Sequence, residues 1–214
     1  ILEIYRIGLP AIITQSLVTV MVAGLNKILG LFSDTLVVVL GIYFKLQNFV
    51  FMPVFGLNNG MIPILGYNYG ARSAKRITGT IRFALIIAVS IMCLGTLLFQ
   101  LFPQVLLGFF QPSPAALQAG VPALRLISIA FPAAAVSIIC SAVFQALGSP
   151  MLSLLVSLLR QLVLVLPAAW LLGLWRPELI WLALPIAEGG AAFMALLLYR
   201  QAYQVKILPL TSPA

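Results

Sequence analysis

Residues 36–65 read LVVVLGIYFKLQNFVFMPVFGLNNGMIPIL, a thirty-residue run with one charged side chain, Lys45. At 1.5 Å per residue a helix of this length is about 45 Å long, more than the roughly 30 Å of a bilayer's hydrocarbon core. Apolar residues do not alternate along it, as they would in a lipid-facing barrel strand. Backbone groups in hydrocarbon have no water to bond, so a lone segment must satisfy them within itself, as a helix does. The run is therefore read as a membrane-spanning helix.

Five further stretches repeat the pattern, at 8–31, 79–102, 121–146, 152–174 and 178–200. The expected fold is an all-α integral membrane protein, a six-helix bundle over 1–206 with a short tail at 207–214. Turn chemistry separates the spans: Ser33-Asp34, Gln111-Pro112-Ser113-Pro114, Gly148-Ser149-Pro150 and Arg176-Pro177-Glu178. Glycine frees the backbone at such places and proline removes a donor. The longest polar connection runs from Gly66 to Thr78.

Composition agrees. Of 214 residues 63% are hydrophobic and 7% charged, and the mean hydropathy is +1.16. A soluble domain carries about a quarter of its residues charged. A soluble enzyme, a disordered chain and a nucleic-acid binder are excluded on this ground, although the net charge is +8. The basic excess reads instead as loop charge that orients spans. With the 66–78 loop on the cytoplasmic side, Arg6, Arg72, Lys75, Arg76, Arg82, Arg200 and Lys206 collect there, and the opposite face holds Lys27 and Arg176. Both ends of the chain then face the cytoplasm, in the plasma (inner) membrane. Tyr5, Trp175, Trp181, Tyr199 and Tyr203 fall near span ends, where amphipathic rings belong. Cys93 and Cys140, each in an apolar run, read as two buried reduced thiols. The chain starts Ile1-Leu2-Glu3 with a span close behind, which suggests a piece of a longer polypeptide.

Function is sought among the polar residues inside the spans, because charge at the bilayer centre costs about 2.5–3.5 kcal/mol on insertion scales. Lys45 and Glu188 both lie roughly 14 Å deep from one face, and Arg160 enters from the other. One acid and two bases at similar depth suggest an internal charge cluster. Lys45 and Glu188 form either a buried structural pair or a working site, with Glu188 exchanging protons or Lys45 meeting substrate. Two effects compete at such an acid: low dielectric favours its neutral form and a neighbouring cation favours the carboxylate. Neutral polar residues form a second set: Thr14, Gln15, Ser16 and Thr19 in the first span, and Gln47, Asn48, Asn58 and Asn59 in the second. Lys45, Asn48 and Met52 share one helix face by spacing. Pro53, Pro63, Pro132, Pro167 and Pro185 stand inside spans, where each removes a donor and can kink the helix.

Residues 56–72, GLNNGMIPILGYNYGAR, carry a resemblance. Gly56, Asn59, Gly60, Pro63, Gly66, Tyr67, Asn68, Gly70 and Ala71 resemble the motif region of the multidrug and toxic compound extrusion (MATE) family. Gly8-Leu9-Pro10, Phe144-Gln145-Ala146-Leu147-Gly148 and Leu159-Arg160-Gln161 with Pro167 are similar in the same way. The resemblance implies two six-helix bundles related by a pseudo-two-fold axis, of which this chain is the C-terminal one. The N-terminal six-helix half would be its partner across a midplane cavity. It implies secondary active transport by alternating access: a small cationic or amphipathic substrate is exported in exchange for a coupling proton or sodium, with no cofactor or resident metal. The cavity is expected near Gln15, Lys45, Asn48, Arg160 and Glu188. Some branches of the family place coupling carboxylates in the first and fourth helices of this half, and spans 8–31 and 121–146 hold no acid. Either the other half carries the coupling site or Glu188 takes that role.

Three rival readings are weighed. A lipid or lipid-linked-sugar flippase of the same superfamily needs a basic groove, for which Lys45, Arg125 and Arg160 are the candidates. An intramembrane enzyme needs a Ser–His pair, a His-rich metal site or paired aspartates, and the chain has no histidine. A non-transporting assembly subunit differs in showing no efflux.

Overall fold

The computed structural model describes residues 2–211, with side chains over Ile12–Leu210. The readings on Glu3, Tyr5, Arg6, Gly8, Leu9 and Pro10 lie outside the described side chains, as does the tail beyond Thr211. Helices α1 (Leu2–Gly30), α2 (Asp34–Gly70) and α3 (Ala74–Leu101) follow one another through turns of three residues. A short α4 (Pro103–Gly108) leads to α5 (Pro114–Ser128) and α6 (Phe131–Ala146). Then come α7 (Pro150–Leu158), a π-helical segment (Leu159–Leu164) and α8 (Val165–Trp175), which run as one rod, Pro150–Trp175. A 3-10 segment (Pro177–Leu182) opens α9 (Ala183–Ala202), and helical turns continue to Thr211.

Among the described residues, five helical stretches are long and apolar enough to cross a membrane, and six if α5 and α6 count as one bent span. Those two meet at 48°. The span expected at 121–146 is thus a broken helix that starts earlier, at Pro114. Phe131-Pro132 opens α6, and Pro132 occupies the first turn, where its missing N–H is not needed. The other prolines divide by position. Pro53 and Pro63 sit within an unbroken 37-residue α2. Pro185 lies in the first turn of α9. Pro167 follows the π segment, where the Val165 N–H reaches back five residues to the Arg160 carbonyl.

Helix α6 is the centre of the bundle. Its small residues Ala134, Ala135 and Ala142 have no exposed surface, and α2, α3, α7 and α9 pack around it. Small side chains let helices approach closely, which is how packing gains energy in lipid. Phe131 makes edge-to-face contacts with Phe51 of α2 and Phe99 of α3, at 5.3 and 5.1 Å between centroids. Outward positions are large and apolar, for example Phe49, Phe83, Phe193 and Trp175, as a lipid-facing surface requires. Trp181, expected at an interface, is instead buried in the main core. Cys140 is buried as expected, and Cys93 is exposed.

The polar connection read as 66–78 is far shorter in the structure, because α2 continues through Gly70. A Schellman turn closes it. The Arg72 N–H bonds the Tyr69 carbonyl at 3.1 Å and the Ser73 N–H bonds the Asn68 carbonyl at 3.0 Å. The α6–α7 turn is built the same way, with Gly148 N–H to Gln145 O at 3.1 Å and Ser149 N–H to Phe144 O at 2.7 Å. Both turns need a left-handed residue, which is Arg72 at φ 52 in one and Gly148 at φ 68 in the other. The Lys206 ammonium ties the second turn to the C-terminal helix, donating to Leu147 O and Ser149 Oγ, each at 2.6 Å.

A side chain at φ > 0 costs roughly 1–2 kcal/mol that glycine does not. Gly148→Ala is therefore expected to lower stability by about 1–2 kcal/mol, since its Cβ would meet nothing within 4 Å and only the backbone is strained. Arg72→Gly is expected to leave stability level or raise it by up to about 1 kcal/mol. Thermal unfolding in detergent checks both, and equal losses in the two variants would contradict the account.

Candidate functional site

The π segment positions the site. Adding a residue to one turn shifts the register of α8 against α7 and presents both Arg160 and Gln161 to the bundle interior. Leu164 of this segment packs where a Cβ on Gly190 of α9 would stand, and Leu166 does the same at Gly24 of α1. Glycines on both neighbouring helices thus hold the rod in place.

Glu188 reaches across from α9. Nη1 of Arg160 donates to both carboxylate oxygens, at 3.2 and 3.4 Å. Both side chains are largely buried, 23% exposed for Arg160 and 15% for Glu188. The sequence reading paired Glu188 with Lys45, and the structure gives it Arg160 instead. Facing helices decide this: α9 packs directly on the π segment, whereas Lys45 points outward from α2. Its ammonium lies 5.6 Å from the centroid of the Phe110 ring.

The Arg160–Glu188 pair lines a cavity of about 360 Å³. Its other walls are α1 (Val18, Met21, Val22), α2 (Tyr43, Phe44, Gln47, Asn48, Phe51, Phe55), the start of α6 (Ala130, Phe131, Ala134), Gln161 with Val165, and Leu184. Aromatic rings thus face an ion pair and three amides. Gln161 is 1% exposed, and neither its amide nitrogen nor its amide oxygen has a hydrogen-bond partner among the described residues. A buried amide left unpaired costs about 1–3 kcal/mol per group, so its bonding capacity is the part of this lining that the protein itself does not use.

Of the expected cavity residues, Asn48, Arg160 and Glu188 come together here. Gln15 and Lys45 are exposed and lie outside this lining. Lys45, Asn48 and Met52 do share one face, which lines a shallow outer groove with Phe49, Pro53 and Phe110. A smaller cleft of about 130 Å³ lies on the other side of Arg160, lined by Thr14, Asn58, Ser137, Ser141, Gln145, Ser153 and Ser157 among others. Sequence reading missed Gln161, Tyr43 and this hydroxyl-lined cleft. The i, i+4, i+7 spacing of Ser153, Ser157 and Arg160 was the available signal for the cleft. The motif residues Gly56, Asn59, Gly60, Pro63, Tyr67, Gly70 and Ala71 are exposed, Gly66 is half-buried and Asn68 is buried. The Asn68 amide donates to Ile64 O at 2.8 Å, which ties it to its own helix.

A multi-pass helical membrane bundle with a charge-paired internal cavity is the class that this fold and site define. The chain belongs to the MatE family, whose model matches residues 10–171. It is 28% identical over 169 residues to a probable multidrug resistance protein NorM of Caulobacter vibrioides, covering 78% of this chain and 33% of that protein. The fold is shared with the Vibrio cholerae MATE transporter VcmN in its bent form, with TM-score 0.89, 22% identity, and 95% of this chain against 47% of that one. It is shared equally with a MOP superfamily transporter from Pyrococcus furiosus, described as having a binding pocket of reverse polarity, at TM-score 0.88 and 22% identity over 99% and 48% of the two chains. The chain thus spans about a third to a half of the length of these relatives.

Removing one member of the pair strands the other in low dielectric, and removing both does not. Arg160→Leu is expected to destabilise the protein by about 3 kcal/mol, and Arg160→Leu with Glu188→Leu by clearly less. Unfolding of the purified protein in detergent measures both, and additive losses would contradict direct pairing.

Proposed function

We propose that the chain is the C-terminal six-helix half of a secondary active antiporter that exports small amphipathic organic solutes. Family membership supports transport as the class of activity. The observation that carries the mechanism is the Arg160–Glu188 pair on the wall of a solute-sized cavity. An intramembrane carboxylate is expensive unless it works or pairs, and this one is held by a single guanidinium nitrogen. Opening the pair, with Arg160 turning to the serines of the neighbouring cleft or to the carboxylate of a bound solute, frees Glu188 to take a coupling proton or sodium, and closing it releases that ion. Coupling is then competition for one carboxylate, with the two half-transporters rocking about the cavity in alternating access. The exposed faces of α1 and α2, with Gln15 and Lys45, would meet the N-terminal half. The α2–α3 turn and both chain ends would lie on the cytoplasmic side of the cell membrane by the positive-inside bias.

The flippase reading fares less well. Lys45 and Arg125 are exposed and Arg160 is engaged by Glu188, so the three bases do not converge on one groove. No bond-making chemistry is proposed.

The full-length protein in liposomes tests the reading. Wild type is expected to concentrate an organic dye such as ethidium against an outward proton or sodium gradient. Glu188→Gln is expected to lose gradient-driven uptake by about tenfold or more while retaining downhill exchange. Unchanged gradient dependence would remove Glu188 from coupling. Membrane-impermeant labelling is expected to reach Lys75 and a cysteine placed at Gln204 from the same side, and labelling from opposite sides would overturn the topology.

A further inference from the structure

The cavity's electrostatics narrow the class of ligand, and this step rests on the transport reading above. Among the described residues its wall carries one acid and one base, already in contact. A ligand that is a simple cation would draw Glu188 away and leave Arg160 buried without a counter-charge. A simple anion would strand Glu188 in the same way. Each outcome leaves an uncompensated charge in low dielectric, which is strongly unfavourable. A ligand bearing both charges avoids it. Only Nη1 of Arg160 contacts Glu188, whereas a guanidinium has five N–H donors. A carboxylate can dock on the remaining donors while an ammonium docks on the Glu188 oxygens, which closes a ring of four alternating charges without breaking the existing pair.

Two further observations point to the rest of the molecule. Gln161 stands next to Arg160 in sequence, lines the cavity, is 1% exposed, and has a buried amide whose donor and acceptor are both unpartnered among the described residues. Tyr43, Phe44, Phe51 and Phe131 supply aromatic walls, onto which a ring can pack edge-to-face or offset. The volume of about 360 Å³ is at the lower end of small-molecule sites. We propose that this cavity is a binding site selective for small aromatic zwitterions, molecules that carry a carboxylate, an amine and a ring, over cations or anions of the same size.

Three matched probes test it on the purified full-length transporter by calorimetry: L-phenylalanine, which carries both charges, phenethylamine, which lacks the carboxylate, and 3-phenylpropanoate, which lacks the amine. The zwitterion is expected to bind about tenfold or more tightly than either analogue. Arg160→Gln is expected to weaken the zwitterion and strengthen the amine, Glu188→Gln to weaken the zwitterion and strengthen the carboxylate, and Gln161→Leu to weaken the zwitterion several-fold. The double variant R160Q/E188Q keeps the cavity neutral, controls for folding, and is expected to lose the preference. Equal binding of amine and zwitterion by wild type would overturn the proposal, as would a preference that survives in the double variant. Gradient-driven uptake of radiolabelled L-phenylalanine and of ethidium, run in parallel, separates the two readings. Uptake of either without zwitterion selectivity in binding defeats this inference alone, and selective binding with no gradient-driven uptake of either compound defeats the transport reading and leaves the site standing.

Discussion

Hydrocarbon offers a backbone no hydrogen-bond partner, and two departures from straight helix in this bundle, the α5–α6 break and the π segment, are arranged around that fact. The α5–α6 break is placed where it is shielded: Ser128 and Ala130 are buried, and the Thr96 hydroxyl of α3 donates to the Ser128 carbonyl at 2.9 Å. The Gln100 side chain adds bonds to Arg125 O at 2.8 Å and Ser128 Oγ at 3.1 Å. Two polar residues of α3 thus satisfy a turn that proline opens. The π segment solves the same problem differently. It keeps its bonds within the rod by reaching one residue further back, as the Val165 N–H does to the Arg160 carbonyl.

That difference explains why one irregularity builds a site and the other does not. At the α5–α6 break, side chains are spent on the backbone. In the π segment the backbone is self-sufficient, so Arg160 and Gln161 remain available to other groups. Arg160 takes Glu188, and Gln161 takes nothing among the described residues. Helix α9 approaches this segment through Gly190, which places Glu188 within reach, and α1 approaches the adjoining α8 through Gly24.

The sequence was legible wherever a single helix decides the outcome. That the chain is built of apolar, membrane-length helices followed from run length, the turn at Gly148-Ser149-Pro150 from its residues, and the shared face of Lys45, Asn48 and Met52 from helical spacing. It was illegible wherever two helices must be placed against each other. Lys45 and Arg160 were equally good partners for Glu188 by depth, and only the packing of α9 on the π segment separates them. Connection lengths failed for a related reason. Asn68, Tyr67 and Arg72 read as loop, yet the Asn68 amide bonds within the helix and Arg72 accepts a left-handed backbone to end it. Trp181 read as an interfacial ring because it stands near a span end, but the 3-10 turn directs it into the core.

The position of Arg160 between two unlike cavities bears on how such a bundle could work. On one side lies the aromatic cavity with Glu188, and on the other a small cleft of hydroxyls and amides from α1, α2, α6 and α7. The cleft sits toward the end of the bundle that holds the α6–α7 turn, since Gln145 and Ser153 flank that turn and hydrogen-bond each other at 3.1 Å. A hydroxyl-lined cleft suits water and small ions, whereas aromatic walls suit an organic body. Arg160 is the one side chain common to both linings that also carries charge. The guanidinium is always charged and always needs partners, so it cannot leave one set without finding another. Arg160 thus borders two linings of unlike chemistry, with its carboxylate partner in one and serine hydroxyls in the other.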